Sequence, residues 1–198
     1  MVRSLDIALK HLCILGSTGS IGTSALSIVE RYPERFAIAS LAAGRNLDLA
    51  FSQCKQWRPQ LISVATEELA AELSSRLKAA GLSGTEVVHG TAGTVRAATL
   101  PDVDFVVSAI VGLGGLEATH AAVAAGKQVG LANKEAMVAA GEILTRLARD
   151  RKVPLLPIDI RLLPDFLSSP AVQPADMCEG KTQLHRTAIR TELSARDK

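Results

Sequence analysis

Gly16, Gly19 and Gly22 are spaced G-x-x-G-x-x-G, follow directly on the apolar run Leu12-Cys13-Ile14-Leu15, and open a segment with helical periodicity. The arrangement has the makings of a phosphate cradle. A strand ending in Gly16 can turn tightly, Gly19 lets backbone approach a pyrophosphate, and Gly22 lets the new helix pack closely while its free N–H groups face the anion. The spacing departs from the G-x-G-x-x-G dinucleotide fingerprint, so the pattern alone also accommodates a glycine-rich turn that binds nothing.

Further polar groups fall at the ends of other apolar runs. Phe36 to Ala42 leads into Ala43-Gly44-Arg45-Asn46, where folds of this kind hold the adenosine ribose. An NAD-selective site places Asp or Glu there; this sequence offers no acid and supplies Arg45, whose guanidinium suits a 2′-phosphate. NADP is therefore favoured over NAD, against the alternative that Arg45 is an ordinary solvated charge. Val111-Gly112-Leu113-Gly114-Gly115 is a second glycine-rich turn able to bring backbone near a cofactor. Ala132-Asn133-Lys134-Glu135 puts an amide, an ammonium and a carboxylate at a strand exit. Lys134 there can hold a substrate phosphate or carbonyl, or the group is simply a helix start with Asn133 as cap and Glu135 favouring the dipole. Asp159 ends a last apolar run as a delivered carboxylate. His89 and His120 have no partner cluster nearby in sequence and read as surface or capping residues.

The elements that must position these groups alternate. Strands are expected at Leu12–Leu15, Phe36–Ala42, Leu61–Val64, Glu86–His89, Asp104–Ile110, Gln128–Leu131 and Val153–Asp159. Helices are expected over Ser20–Arg31, from the Asn46 cap to Trp57, over Glu67–Ala80, from Leu116 to Gly126, and over Ala136–Arg151; no helix is read between His89 and Asp104. Strict alternation predicts a Rossmann-like, doubly wound α/β domain with a mostly parallel sheet, helices on both faces and right-handed crossovers. Residues 1–159 form that NADPH-binding domain in this reading. Residues 160–198, with Pro164, Pro170 and Pro174 and the polar run Arg190 to Lys198, are expected to be a short irregular tail.

Composition excludes several classes. Net charge is only +2 and aromatics are 3% of residues, so no nucleic-acid footprint or base-stacking platform is visible. Cys13, Cys54 and Cys178 are widely spaced and form no C-x-x-C pair, which argues against a disulfide framework or structural zinc and for a reducing cytoplasm. No apolar run reaches membrane-spanning length, and Met1 to Lys10 lacks the core of a signal peptide.

In order and spacing, Gly16-Ser17-Thr18-Gly19-Ser20-Ile21-Gly22, Ala43-Gly44-Arg45-Asn46, Ala109-Ile110-Val111-Gly112, Leu131-Ala132-Asn133-Lys134-Glu135 and Leu156-Pro157-Ile158-Asp159 closely resemble the amino-terminal half of 1-deoxy-D-xylulose 5-phosphate reductoisomerases. The resemblance covers residues 10 to 159. It implies a non-mevalonate isoprenoid enzyme that rearranges a sugar phosphate and reduces it with NADPH to 2-C-methyl-D-erythritol 4-phosphate. By resemblance Thr18, Gly19, Ser20 and Ile21 hold the pyrophosphate of NADPH, Gly44, Arg45 and Asn46 its 2′-phosphoribose end, and Asn133 and Glu135 also contact the cofactor. Lys134 contacts substrate, and Asp159 is the first carboxylate ligand of Mg²⁺ or Mn²⁺. No residue of this chain is assigned as catalytic.

The chain departs from the family after Asp159, where the family continues Ser-Glu-His into a substrate domain and this sequence reads Ile160-Arg161-Leu162-Leu163-Pro164. The second metal carboxylate, the lid and the homodimer surface of the family have no counterpart, so the chain is expected to bind NADPH without turning over. Two alternatives remain: a non-catalytic NADP-binding module, and a different NADP oxidoreductase relying on Asp176, Glu179 and His185.

Overall fold

An unbroken apolar run is stable as a strand only where both faces are covered, as in a parallel sheet flanked by helices. Leu12, Cys13, Ile14 and Leu15 are fully buried in β1 (Lys10–Leu15) of the computed structural model, which describes residues 9–132 and 134–157. The chain then alternates through α1 (Ser20–Arg31), β2 (Phe36–Ala42), α2 (Leu47–Trp57), β3 (Leu61–Val64), α3 (Glu67–Ala79), β4 (Glu86–His89) and α4 (Gly90–Ala98). It continues with β5 (Phe105–Ser108), a 3-10 turn at Gly112–Gly115, α5 (Leu116–Ala124), β6 (Gln128–Leu131), α6 (Lys134–Arg151) and β7 (Leu155–Pro157).

The seven strands among the described residues are all parallel, in the order β4-β3-β2-β1-β5-β6-β7. The chain winds outward from β1 to β4, crosses back, and winds the other way from β5 to β7. The reversal lies between β1 and β5, where Leu15 is in register with Ser108, and on its other side Leu15 is in register with Ala42. Ligands of open α/β sheets bind in the crevice that such a reversal opens at the carboxyl ends of the strands.

Helix ends follow local chemistry. Asn46 caps α2, its side-chain oxygen accepting from Leu49 N at 3.0 Å, and Thr66 caps α3 in the same way at 3.4 Å from Leu69 N. Gly81, with φ +71°, turns the chain off the end of α3.

One expectation needs correcting. Residues 90–98 form α4, which the apolar pattern conceals because its inward positions are small: Gly93, Ala97 and Ala98 are buried. Small residues let the helix lie tight on the sheet. Ser40 of β2 donates to Ala97 O at 2.7 Å, and a Cβ on Gly93 would come within 2.8 Å of Ser63 Oγ. The strand at 104–110 is also shorter than expected, ending at Ser108, and the last strand is described only over Leu155–Pro157.

Candidate dinucleotide-binding site

The carboxyl edge of the sheet opens into a cleft of about 390 Å³ at the reversal point, walled by the strand exits Gly16, Ala42 to Gly44, Val64, Ala65, Gly90 and Ala109 to Val111, with Gly19, Gly114 and the α4 residues Thr91 and Thr94. No carboxylate lies among these residues, and five of them are glycines that present bare backbone. Such a wall neither repels an anion nor holds it off with side chains.

The glycine loop forms the near wall. Gly16 has φ +83°, and a Cβ there would lie 2.7 Å from Ala109 O, so only glycine lets β1 leave beside the exit of β5. The loop is tied back by Gly16 N and Ser17 N, which both donate to Ala42 O at 2.8 and 2.9 Å, and by Gly19 N donating to Gly16 O at 3.0 Å. Beneath it Ser17 and Gln53 make a buried polar pair: Ser17 Oγ donates to Gln53 Oε1 at 2.7 Å and Gln53 Nε2 donates to Ser17 O at 2.8 Å.

The N-cap of α1 is Gly19, in extended conformation and without a side chain to cap the first turn. The first backbone bond of the helix is Thr23 N to Gly19 O at 2.9 Å, so the N–H groups of Ser20 and Ile21 have no intrahelical acceptor. Asn46 and Thr66 fill that role for α2 and α3. An uncapped helix start at a cleft wall is a place for an anion.

At the end of β2, Ala43 N donates to Ser63 O and Ala65 N donates to Gly44 O, linking the exits of β2 and β3. Gly44, Arg45 and Asn46 are exposed beside the cleft. Asn46 commits its side-chain oxygen to the cap, leaving its amide nitrogen to donate elsewhere, and Arg45 makes no ion pair with another described residue.

The structure thus brings the residues of the glycine loop and of the Gly44–Asn46 loop to one edge. Asn133 and Asp159 lie outside the described residues, as do Asp176, Glu179 and His185; Lys134 and Glu135 are described only as the first backbone positions of α6. His89 ends β4 without a capping hydrogen bond and His120 is exposed on α5, so the two histidines stand on separate elements as expected of surface residues. Burial pushes the thiols of Cys13 and Cys54 up to about 12, which makes both poor nucleophiles. Among the described residues no cluster of three or more His, Cys, Asp or Glu could hold a metal ion, and no helix is long and apolar enough to cross a membrane.

Thr91 and Thr94 of the cleft wall escape a reading by periodicity because α4 does. The available signal is topological: parallel β4 and β5 require a crossover, and 90–104 is the chain between them.

The matches to known proteins agree with this geometry. The family model for 1-deoxy-D-xylulose 5-phosphate reductoisomerase matches residues 12–141, well over half of the chain. The reductoisomerase of Anaeromyxobacter sp. (strain K) is 49% identical over 151 residues, covering 76% of this chain and 38% of that protein. Reductoisomerase 1 of Bacillus cereus is 47% identical over 150 residues, with the same coverage. Among solved structures, DOX-P reductoisomerase in complex with NADPH, fosmidomycin and magnesium superposes with a TM-score of 0.73 at 39% identity, over 76% of this chain and 36% of that one. The Zymomonas mobilis enzyme in complex with NADPH gives 0.71 at 35% identity, over 77% and 39%. This chain spans about two fifths of the length of the relatives it matches, and it belongs to the 1-deoxy-D-xylulose 5-phosphate reductoisomerase family.

Proposed function

We propose that this chain is an NADPH-binding domain, spanning residues 1–159, whose cofactor lies across the carboxyl edge of the sheet. The observation that carries the reading is the uncapped start of α1 at a glycine-walled cleft without carboxylates. The backbone of Thr18, Gly19, Ser20 and Ile21 holds the pyrophosphate, and Gly44, Arg45 and Asn46 receive the 2′-phosphoribose end. The cleft residues fit such a ligand: an exposed guanidinium stands one loop away from bare N–H groups, and small residues line the space between.

By the family resemblance Asn133 and Glu135 add cofactor contacts, Lys134 contacts a sugar-phosphate substrate, and Asp159 supplies one carboxylate toward Mg²⁺ or Mn²⁺. NADPH, when bound, supplies the hydride for reduction. In the complete family reaction 1-deoxy-D-xylulose 5-phosphate becomes 2-C-methyl-D-erythritol 4-phosphate, an isoprenoid precursor. We assign this 198-residue chain the binding half of that task and no turnover by itself. The break from the family motif after Asp159 supports this. Its buried free thiols at Cys13 and Cys54 accord with a reducing cytoplasm.

Thermal denaturation with NADPH tests the reading. A ligand that binds only the folded chain stabilises it by about 2.7 kcal/mol at a hundredfold excess over Kd, and the melting temperature is expected to rise with NADPH concentration. A melting temperature that ignores NADPH would refute the assignment.

A further inference from the structure

We propose that Gln53 is a positioning residue that locks the pyrophosphate loop to the 2′-phosphoribose loop and thereby sets the preference for NADPH over NADH. The inference rests on the proposed roles of the glycine loop and Arg45. Gln53 lies on α2, seven residues beyond the Asn46 cap, which places it two helical turns, about 10 Å, from the start of the helix. Its side chain grips the glycine loop at two points, donating to Ser17 O at 2.8 Å and accepting from Ser17 Oγ at 2.7 Å.

Ser17 is fully buried and Gln53 is 4% exposed. The Ser17 carbonyl can only accept, so the amide nitrogen of Gln53 must face it and the amide oxygen must take the hydroxyl proton. That leaves one orientation. Ser17 N also donates to Ala42 O, at the end of the strand that leads into Ala43–Asn46. One end of α2 therefore carries Asn46, next to Arg45, while its second turn holds the glycine loop.

A side chain that only filled this space would be better apolar, since burying an amide costs free energy unless both its ends are paired. What the amide adds is a fixed separation between two anion-binding loops. A ligand that must touch both loops gains most when that separation is preset, because its second contact is then effectively intramolecular. NADPH carries a phosphate for each loop; NADH lacks the one that Arg45 would meet. Loosening the latch should therefore weaken NADPH more than NADH.

The test uses Gln53→Met, similar in length and without hydrogen bonds, and the double variant Ser17→Ala/Gln53→Met, which also removes the stranded Ser17 hydroxyl and so restores part of the lost stability, the Ser17 carbonyl staying without the amide. NADPH and NADH dissociation constants are measured for each variant, with circular dichroism and melting temperature. We expect the preference for NADPH to fall at least threefold in both variants, and to stay low in the double variant although its melting temperature recovers in part. Should Gln53→Met fail to fold, the double variant and Ser17→Ala carry the same comparison. A parental preference in a folded variant, or equal weakening of both cofactors, overturns the inference while leaving the proposed function standing. A parent that binds no NADPH, or binds both cofactors equally, contradicts the proposed function and this inference with it.

Discussion

A Cβ built on Gly22 would lie 2.2 Å from the carbonyl oxygen of Gly16. The contact joins the first turn of α1 to the end of β1, and both sides of it are backbone, so no side chain can swing away. We predict that Gly22→Ala destabilises the fold by about 1–3 kcal/mol, even though alanine is the better helix former. In a domain of this size that lowers the melting temperature by roughly 2–10 °C. Gly84→Ala, where a Cβ meets nothing within 4 Å, is the control and should leave it unchanged.

Gly19 has a different task. Its φ of −81° is open to any residue, and a Cβ there is 3.3 Å from Gly16 O, a contact that a small shift relieves. Gly19→Val should therefore fold, with a far-ultraviolet circular-dichroism spectrum like the parent's, and lose dinucleotide binding because its side chain fills the space proposed for the pyrophosphate. A folded Gly19→Val that still binds NADPH like the parent would show that the cradle has been misplaced.

The buried thiols predict an alkaline weakness. Cys13 and Cys54 are raised by burial from 9.0 to about 12. The unfolded chain ionises them first, so their contribution is intact below about pH 9 and is lost as pH rises toward 12, at a slope of up to about 1.4 kcal/mol per pH unit for each thiol. Urea unfolding at pH 8 and pH 10.5 should show the loss, and Cys13→Ser or Cys13→Ala should reduce it. In the native protein at pH 8 a thiol reagent should leave both cysteines unlabelled until denaturant is added.

Catalysis by the chain alone should be absent. An NADPH-oxidation assay with 1-deoxy-D-xylulose 5-phosphate and Mg²⁺ or Mn²⁺ is expected to stay at background, because a divalent cation that polarises substrate oxygens needs several protein oxygens in one geometry. A chain in which residues 160–198 are replaced by the family continuation from Ser-Glu-His onward should gain turnover. Metal-dependent oxidation by the unmodified chain would mean that Asp165, Asp176 or Glu179 supplies a ligand.

Periodicity and punctuation made most of the sheet readable. Leu12–Leu15 is apolar throughout and Leu61–Val64 is so but for the buried Ser63, because both faces are covered, and Asn46, Thr66 and Gly81 mark helix ends by their own chemistry. The glycine loop was readable because Gly16 and Gly22 answer distinct geometric demands, a left-handed turn and a close approach of helix to strand. What the sequence hid was close packing: α4 lies so near β2 and β3 that glycine and alanine replace the large apolar residues that betray a helix, and Thr91 and Thr94 went unseen with it. The Ser17–Gln53 pair was equally invisible, since the two residues are 36 positions apart and neither type announces burial.

The central claim is that this chain presents a cleft built for a dinucleotide with a 2′-phosphate, and titration of the purified chain with NADPH and NADH tests it most directly. Arg45 should contribute on the order of a charged hydrogen bond, about 1.5–3 kcal/mol, so NADPH is predicted to bind at least about tenfold more tightly than NADH. Arg45→Ala should erase most of that difference by weakening NADPH alone. Equal affinities, a preference for NADH, or an unchanged preference in Arg45→Ala would contradict the account.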